Sequence, residues 1–272
     1  MAKKISRPDL TPPQRNRRHQ KRPHVSIPTL GNTCRWIRDA NDLTRDQAAA
    51  TVRISVSHLQ RIERGISIPH KNSLEDISRG YRLDPEMITH LNDLAAPAVH
   101  LVPAAHLRAY VLADTALTLN LARFQARGIL AAYTDPLWNI LARNDLFADV
   151  LTGIDNSGSV ALWTFSEHSE AVLLDPLTEK AWTVAMLKGA MGRYRDTEQA
   201  QDLVRALAPI REVQRLWAAS LTVSYGRDPR NMIQARDPTQ NPAEYQLAVT
   251  ETLPMQHIQL ITAVPNPDPE PS

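Results

Sequence analysis

Thr44 and Gln47 stand three residues apart, a hydroxyl followed by an amide, and at that spacing each side chain can satisfy an orphan backbone N–H at the start of a helix. Ser55 can do the same for a second helix. Between the two, Ala48, Ala49 and Val52 mark an inward face whose small side chains let another helix cross closely. After the turn at Arg53-Ile54, Leu59 and Ile62 recur three apart, with Val56 three residues before Leu59. Val56, Ser57, Gln60, Arg61 and Arg64 are then left largely outward. The chemistry open to them is hydrogen bonding to base edges from the first turns of a helix lying in a DNA major groove. Phosphates fall to capped helix ends, such as the one at Ser55, and to arginines such as Arg64. Gly65 ends the segment, because glycine accepts the left-handed conformation of a helix C-terminus.

Leu43–Gly65, LTRDQAAATVRISVSHLQRIERG, resembles the DNA-binding domain of the Xre/Cro repressor-like family, and the resemblance runs from Leu30 to about Leu94. It implies five helices, the first over Leu30–Ala40, the fourth over Asn72–Gly80 and the fifth over Pro85–Leu94. The Ile62-Glu63-Arg64-Gly65 ending is intact, and the helix-one arginine that partners the glutamate falls on Arg38. The resemblance implies an Arg38–Glu63 ion pair that braces helix three against helix one. It assigns base readout to Val56, Ser57 and Arg61, and phosphate contacts to Arg45, Gln47 and Gln60. One departure is visible: Arg53 stands where the turn usually has glycine, and a left-handed non-glycine residue costs roughly 1–2 kcal/mol.

The chain has 272 residues, enough for two cores, and its single cysteine, Cys34, excludes an intramolecular disulfide framework. No apolar run reaches the roughly 18–20 residues of a membrane span. The basic, proline-rich start has no apolar region behind it, so no signal peptide is expected and the location expected is cytoplasmic. The net charge of +2 hides an asymmetry: residues 1–29 carry eight Lys/Arg against one acid, whereas residues 30–94 carry nine of each sign. Electrostatic attraction to DNA is therefore expected of the arm, with Arg17 and Arg18 as phosphate or minor-groove contacts. Residues 1–29 are read as a basic disordered arm and 266–272, rich in proline, as a disordered tail.

Behind the helix-turn-helix region, taken as 30–95, residues 96–127 read as a helical connector. Its helix, about Ala104–Ala126, carries Leu107, Val111, Leu117 and Leu121 as an apolar stripe that joins the domains and offers a face for pairing two chains. From 128 to 265 the texture is mixed. Ile129–Thr134 and Asn139–Arg143 read as strands, and Leu146–Leu151, Leu177–Arg193, Gln199–Ala206 and Arg211–Ala219 as helices. Leu221–Tyr225, Met232–Ala235, Tyr245–Thr252 and Ile258–Val264 read as further strands. The expected fold is thus an N-terminal all-α domain followed by an α+β domain with an antiparallel sheet.

The second half is similar to the MmyB-like ligand-binding domain found behind Xre-type domains in actinobacterial regulators. The likeness rests on Trp138-Asn139 with Ala142 and Asn144, on Leu173-Leu174-Asp175-Pro176 followed by Trp182, on Glu212 to Leu216-Trp217, and on Tyr245 through Leu253-Pro254 into Ile258–Ala263. It implies a PAS-like fold, a small antiparallel sheet with helices enclosing an apolar cavity, and a fatty-acyl or other small apolar ligand. Two departures bear on ligand identity: the His-Pro before the last hairpin is Asp237-Pro238, and the final hairpin turn is shortened to Met255-Gln256.

A cavity of that kind needs large apolar side chains and a few polar groups to orient its occupant. Trp138, Phe147, Trp163, Phe165, Trp182, Met186, Leu216 and Trp217 are candidates for the lining, although core packing needs the same residue types. Arg193, Tyr194 or Arg215 could anchor an acyl carboxylate. The sequence has no Gly-rich phosphate loop, HExxH, paired CxxC or G-x-S-x-G elbow, so neither metal, cofactor nor catalysis is expected. The expectation is a homodimeric, sequence-specific transcription regulator on double-stranded, palindromic operator DNA, with a rear sensor for a small apolar ligand. The alternative is a ligand-independent regulator whose rear domain serves dimerisation or protein interaction.

Overall fold

The computed structural model describes residues 25–252 and 257–266. Its front half is a bundle of α1 (Leu30–Ala40), α2 (Arg45–Thr51), α3 (Val56–Glu63), α4 (Lys71–Gly80) and α5 (Pro85–Ala95). Caps explain the starts. The Thr44 hydroxyl accepts from Gln47 N while the Gln47 side chain accepts from Thr44 N, and Ser55 accepts from His58 N. Asp84 accepts from Met87 N, with Pro85 at the first helical position. Leu30, Ile37, Ala48, Val52, Leu59, Ile62, Ile77 and Leu91 fill the space between these helices. α1 crosses α3 so closely that a Cβ on Gly31 would lie 2.8 Å from the Ile62 carbonyl oxygen. Arg53 adopts the left-handed conformation at φ 56°, so the turn keeps its shape without glycine. Cys34 is buried in this core, where burial and then the charge of Glu63 push its thiol up to about 12.

The rear half contains α6 (Ala104–Ala113), α7 (Thr115–Gln125), β1 (Leu130–Thr134), β2 (Ile140–Arg143), α8 (Asp145–Val150), α9 (Ile154–Ser157), α10 (Val160–Thr164) and α11 (Glu167–Val172). The long α12 (Pro176–Arg193), α13 (Glu198–Leu207), α14 (Arg211–Ala219), β3 (Ile233–Arg236), β4 (Pro242–Glu251) and β5 (Gln259–Pro265) complete it. The strands form one antiparallel sheet in the order β2-β1-β5-β4-β3, with Leu130 opposite Ala263 and Leu247 also opposite Ala263. Alternation divides the sheet into two faces. Ala131, Tyr133 and Leu141 turn toward α6 and α7. Leu130, Tyr245, Ile261 and Ala263 turn toward α8 and α10.

Four expectations need correction. The helix expected over Ala104–Ala126 is two, broken at Asp114, whose carboxylate accepts from the N–H groups of Ala116 (2.8 Å) and Leu117 (3.2 Å) and so starts α7. These helices cover the sheet rather than hang between domains: Leu107 and Val111 are wholly buried, and Arg108 donates to the Ile140 carbonyl on the edge strand at 2.8 Å. Leu221–Tyr225 is no strand; Leu221 and Val223 cross to complete the front core. The short helices α9, α10 and α11 went unforeseen, since four to six residues are too few to display a period. Finally, the last residues assigned to a disordered arm are packed: Val25 is buried with Leu187, Met191 and Trp217, and Ile27 rests on the same cluster. Each half thus lends residues to the other's core.

Candidate DNA-reading surface and ligand cavity

Glu63, at the end of α3, has its side chain only 1% exposed and is held by two arginines. Arg38 Nε donates to its Oε1 at 2.5 Å and Nη2 to its Oε2 at 3.3 Å, while Arg45 Nε donates to Oε2 at 2.8 Å. Arg38 Nη1 also donates to the Leu43 carbonyl, tying in the loop before α2. Burial works to raise the Glu63 pKa, but the bonds to Arg38 and Arg45 and their charges outweigh it and hold the carboxyl below the usual range. The implied Arg38–Glu63 brace is therefore present, and it extends to α2.

On the outer side of that brace, Val56, Ser57, Arg61 and Arg64 are exposed and Gln60 is half-buried. Among the described residues neither Arg61 nor Arg64 makes an ion pair, so both charges are open to an anionic partner. The Ser55 hydroxyl caps α3 and lies 3.2 Å from the Ser57 hydroxyl. Gln47 has its amide oxygen in the cap of α2, and Arg45, 42% exposed, shares its guanidinium with Glu63. Arg17 and Arg18 lie outside the described residues.

The rear half encloses a cavity of about 730 Å³ between the inner face of the sheet, α8, α10, α12 and the loop 224–229. The spacing of α12 creates it. Trp182, Met186, Ala190 and Arg193 fall on the stripe that faces the cavity, while Val184, Leu187 and Met191 face α13 and α14. Trp138, Phe147, Trp163, Trp182, Met186 and Arg193, all expected as ligand contacts, line it. Phe165, Leu216 and Trp217 do not: Phe165 packs against the core beside α13 and α14, and Leu216 and Trp217 sit on α14 against the opposite side of α12. There the buried Lys188 ammonium lies 5.3 Å from the centre of the Trp217 ring and donates to the carbonyls of Trp217 (3.0 Å) and Ser220 (2.6 Å). Burial brings its pKa down to about 7.

Trp138 reaches the cavity from a left-handed turn, φ 64°, an uncommon conformation for so large a side chain. The buried Asp135 holds that turn by accepting from the N–H groups of Leu137 (2.9 Å) and Asn139 (3.0 Å) and from the Asn139 amide (2.8 Å). Burial raises the Asp135 pKa, with these hydrogen bonds opposing. Trp163 is fixed by its indole N–H on the Thr152 carbonyl at 2.8 Å.

The polar groups are few. Of the anchors considered, Arg193 and Tyr194 line the cavity, whereas Arg215 stands on α14 beside Glu212 at 3.7 Å. Arg193 is exposed, its guanidinium carbon 5.8 Å from the Tyr194 ring, and among the described residues it makes no ion pair. No sequence pattern marks Arg227, which lines the same space and is closed on Glu179 by two bonds of 2.6 and 2.7 Å. None marks Tyr225 either, because only the return of the 220s loop to α12 brings these residues to the cavity.

Among the described residues no group of three or more His, Cys, Asp or Glu is arranged to hold a metal, and no helix is long and apolar enough to cross a membrane. No curated protein matches the chain. Residues 29–91 match the family model of a helix-turn-helix domain, and residues 125–270, more than half of the chain, match that of the MmyB-like transcription regulator ligand binding domain. With an exposed third helix on a braced bundle ahead of a sheet that walls an apolar cavity, the chain belongs to the MmyB-like transcription regulators.

Proposed function

We propose that the protein is a dimeric, sequence-specific regulator whose rear cavity takes a single fatty-acyl chain, with Arg193 receiving the carboxylate at the mouth. The observation that carries this reading is the joining of one apolar cavity, large enough for a drug-sized or acyl ligand, to one guanidinium without an ion-pair partner among the described residues. Arg227 is less suited to that role, since Glu179 already takes both arms of its fork. Dimerisation follows from the size of the reading helix: α3 can address only a few base pairs, so useful specificity requires two half-sites one or more helical turns apart. Base readout is assigned to Val56, Ser57 and Arg61, and phosphate contacts to Arg45, Gln47, Ser55, Gln60, Arg64 and the arm residues Arg17 and Arg18.

Native mass spectrometry of gently purified protein, together with quenching of the cavity tryptophans by palmitate, tests the ligand. A co-purified mass of acyl size and saturable quenching are expected. An empty protein that palmitate does not quench would leave a regulator whose rear domain serves association alone. Selection from random duplexes, followed by sedimentation of the selected complex, tests the rest; a single half-site bound by one chain would overturn the dimeric reading.

A further inference from the structure

Tyr225 belongs to two places at once. Its side chain lines the cavity, yet its hydroxyl donates to Asp93 Oδ2 of α5 at 2.8 Å and lies 3.5 Å from His90 Nδ1 on the same helix. The neighbouring groups make the same crossing: Tyr225 N and the Ser224 hydroxyl both donate to Glu86 Oε1, at 3.2 and 2.8 Å. The loop is pressed on α12, where a Cβ on Gly189 would lie 2.6 Å from the Ser224 carbonyl oxygen and 3.4 Å from the Tyr225 ring. Wall of the cavity and clasp on the DNA-reading domain are therefore one short segment.

A second attachment differs from it. Arg195, just beyond α12, donates to the carbonyls of Asp93 and Ala96 at the end of α5 and to that of Gly192. Arg195 does not line the cavity, so nothing that enters the cavity meets it. Tyr225, by contrast, is 38% exposed at the cavity's edge, where a departing hydroxyl finds water at once. One attachment is thus insulated from the cavity and the other can open.

We infer that Tyr225 is a ligand-operated latch: an occupant of the cavity displaces its ring, the bonds to Asp93 and Glu86 break, and α5 is loosened on that side while Arg195 still holds its end. The latch rests on the cavity being a ligand site, as proposed above. Ligand and docked domain compete for one side chain. Closing the latch therefore weakens ligand binding by the same factor that ligand binding weakens docking.

The full chain with palmitate as probe tests this, reading backbone hydrogen exchange over residues 85–95 while tryptophan quenching reports occupancy. Saturating palmitate should speed exchange of the α5 amides by roughly three- to tenfold, the scale of one ordinary net hydrogen bond. Tyr225→Phe should show that faster exchange without palmitate, gain nothing further from it, and bind palmitate more tightly by a similar factor. Asp93→Ala should reproduce the faster exchange from the other side of the junction, although alanine is the better helix former. Wild-type exchange in both variants would overturn the latch. Palmitate that binds the wild-type chain without changing α5 exchange would overturn the link from cavity to head. Absence of quenching would instead sink the acyl reading of the cavity and remove the trigger, whatever the two variants show.

Discussion

The DNA-reading half and the ligand half display their functional groups in opposite ways. In the front half the side chains assigned to base readout stand outward, and the groups that hold their helix, Thr44, Gln47, Ser55, Arg38 and Glu63, all lie within 26 residues of one another. In the rear half the functional surface is the inside of a space walled by segments from Leu130 to Ala263. The first site is made by filling its core and the second by leaving one open. A reading head can thus be specified by a short motif, whereas a cavity requires the whole domain.

The sharpest way to break this contrast is to remove Glu63. Glu63→Ala would leave Arg38, itself mostly buried, without its main partner, at a cost of about 3–5 kcal/mol in denaturant unfolding. Arg38→Ala should cost less, because Arg45 still reaches the carboxylate. A loss below about 1 kcal/mol for Glu63→Ala, the level of an exposed pair, would show that the front half does not depend on its brace.

The junction should respond to acid. Burial first, and the nearby Lys188 charge second, bring the His90 pKa from 6.5 down to about 4. The unfolded chain then takes up a proton before the folded one, so stability is whole above about pH 6.5 and declines as pH falls toward about 4, by roughly 1.4 kcal/mol per unit. His90→Gln should flatten that part of the stability profile. An unchanged slope in the variant would assign the acid sensitivity elsewhere.

Smaller effects separate recognition from attraction. Arg61→Ala should weaken operator binding by about 1–3 kcal/mol and relax preference at one base pair per half-site, without altering the melting temperature. Equal affinity for all substituted sites in wild type and variant would remove Arg61 from base readout. Deleting residues 1–24 should lower the slope of log affinity against log salt by about 0.9 for each phosphate that the arm neutralises, and keep the preferred sequence. An identical slope would leave the arm idle.

How much could be read in the sequence follows from the same contrast. The caps of α2 and α3, the inward Ala48, Ala49 and Val52, and the Arg38–Glu63 brace are local or carried by a dense motif, and the structure places them so. The break at Asp114 was within reach: six residues, not seven, separate Val111 from Leu117, and Asp-Thr is a cap followed by a helix start. Leu221 and Val223 do alternate with exposed Thr222, but the surface they meet is the front core and not a neighbouring strand. Trp182 and Trp217 are alike as sequence, two tryptophans on amphipathic helices. Only the packing of α14 behind α12 puts one in the cavity and the other in a sealed core.

The strand order has a consequence for how the molecule comes into being. β1 pairs with β2 and β5, and β5 comes last in the chain among the described strands, so the middle of the sheet stays open until residues beyond 259 have left the ribosome. At roughly 5–20 residues per second, about ten to thirty seconds separate the synthesis of α5 from that of β5. The reading head, whose contacts are mostly local, forms early in that interval with its core still short of Val223 and Leu221. The two halves can therefore complete each other's cores only after the loop that carries Leu221 and Val223 has emerged.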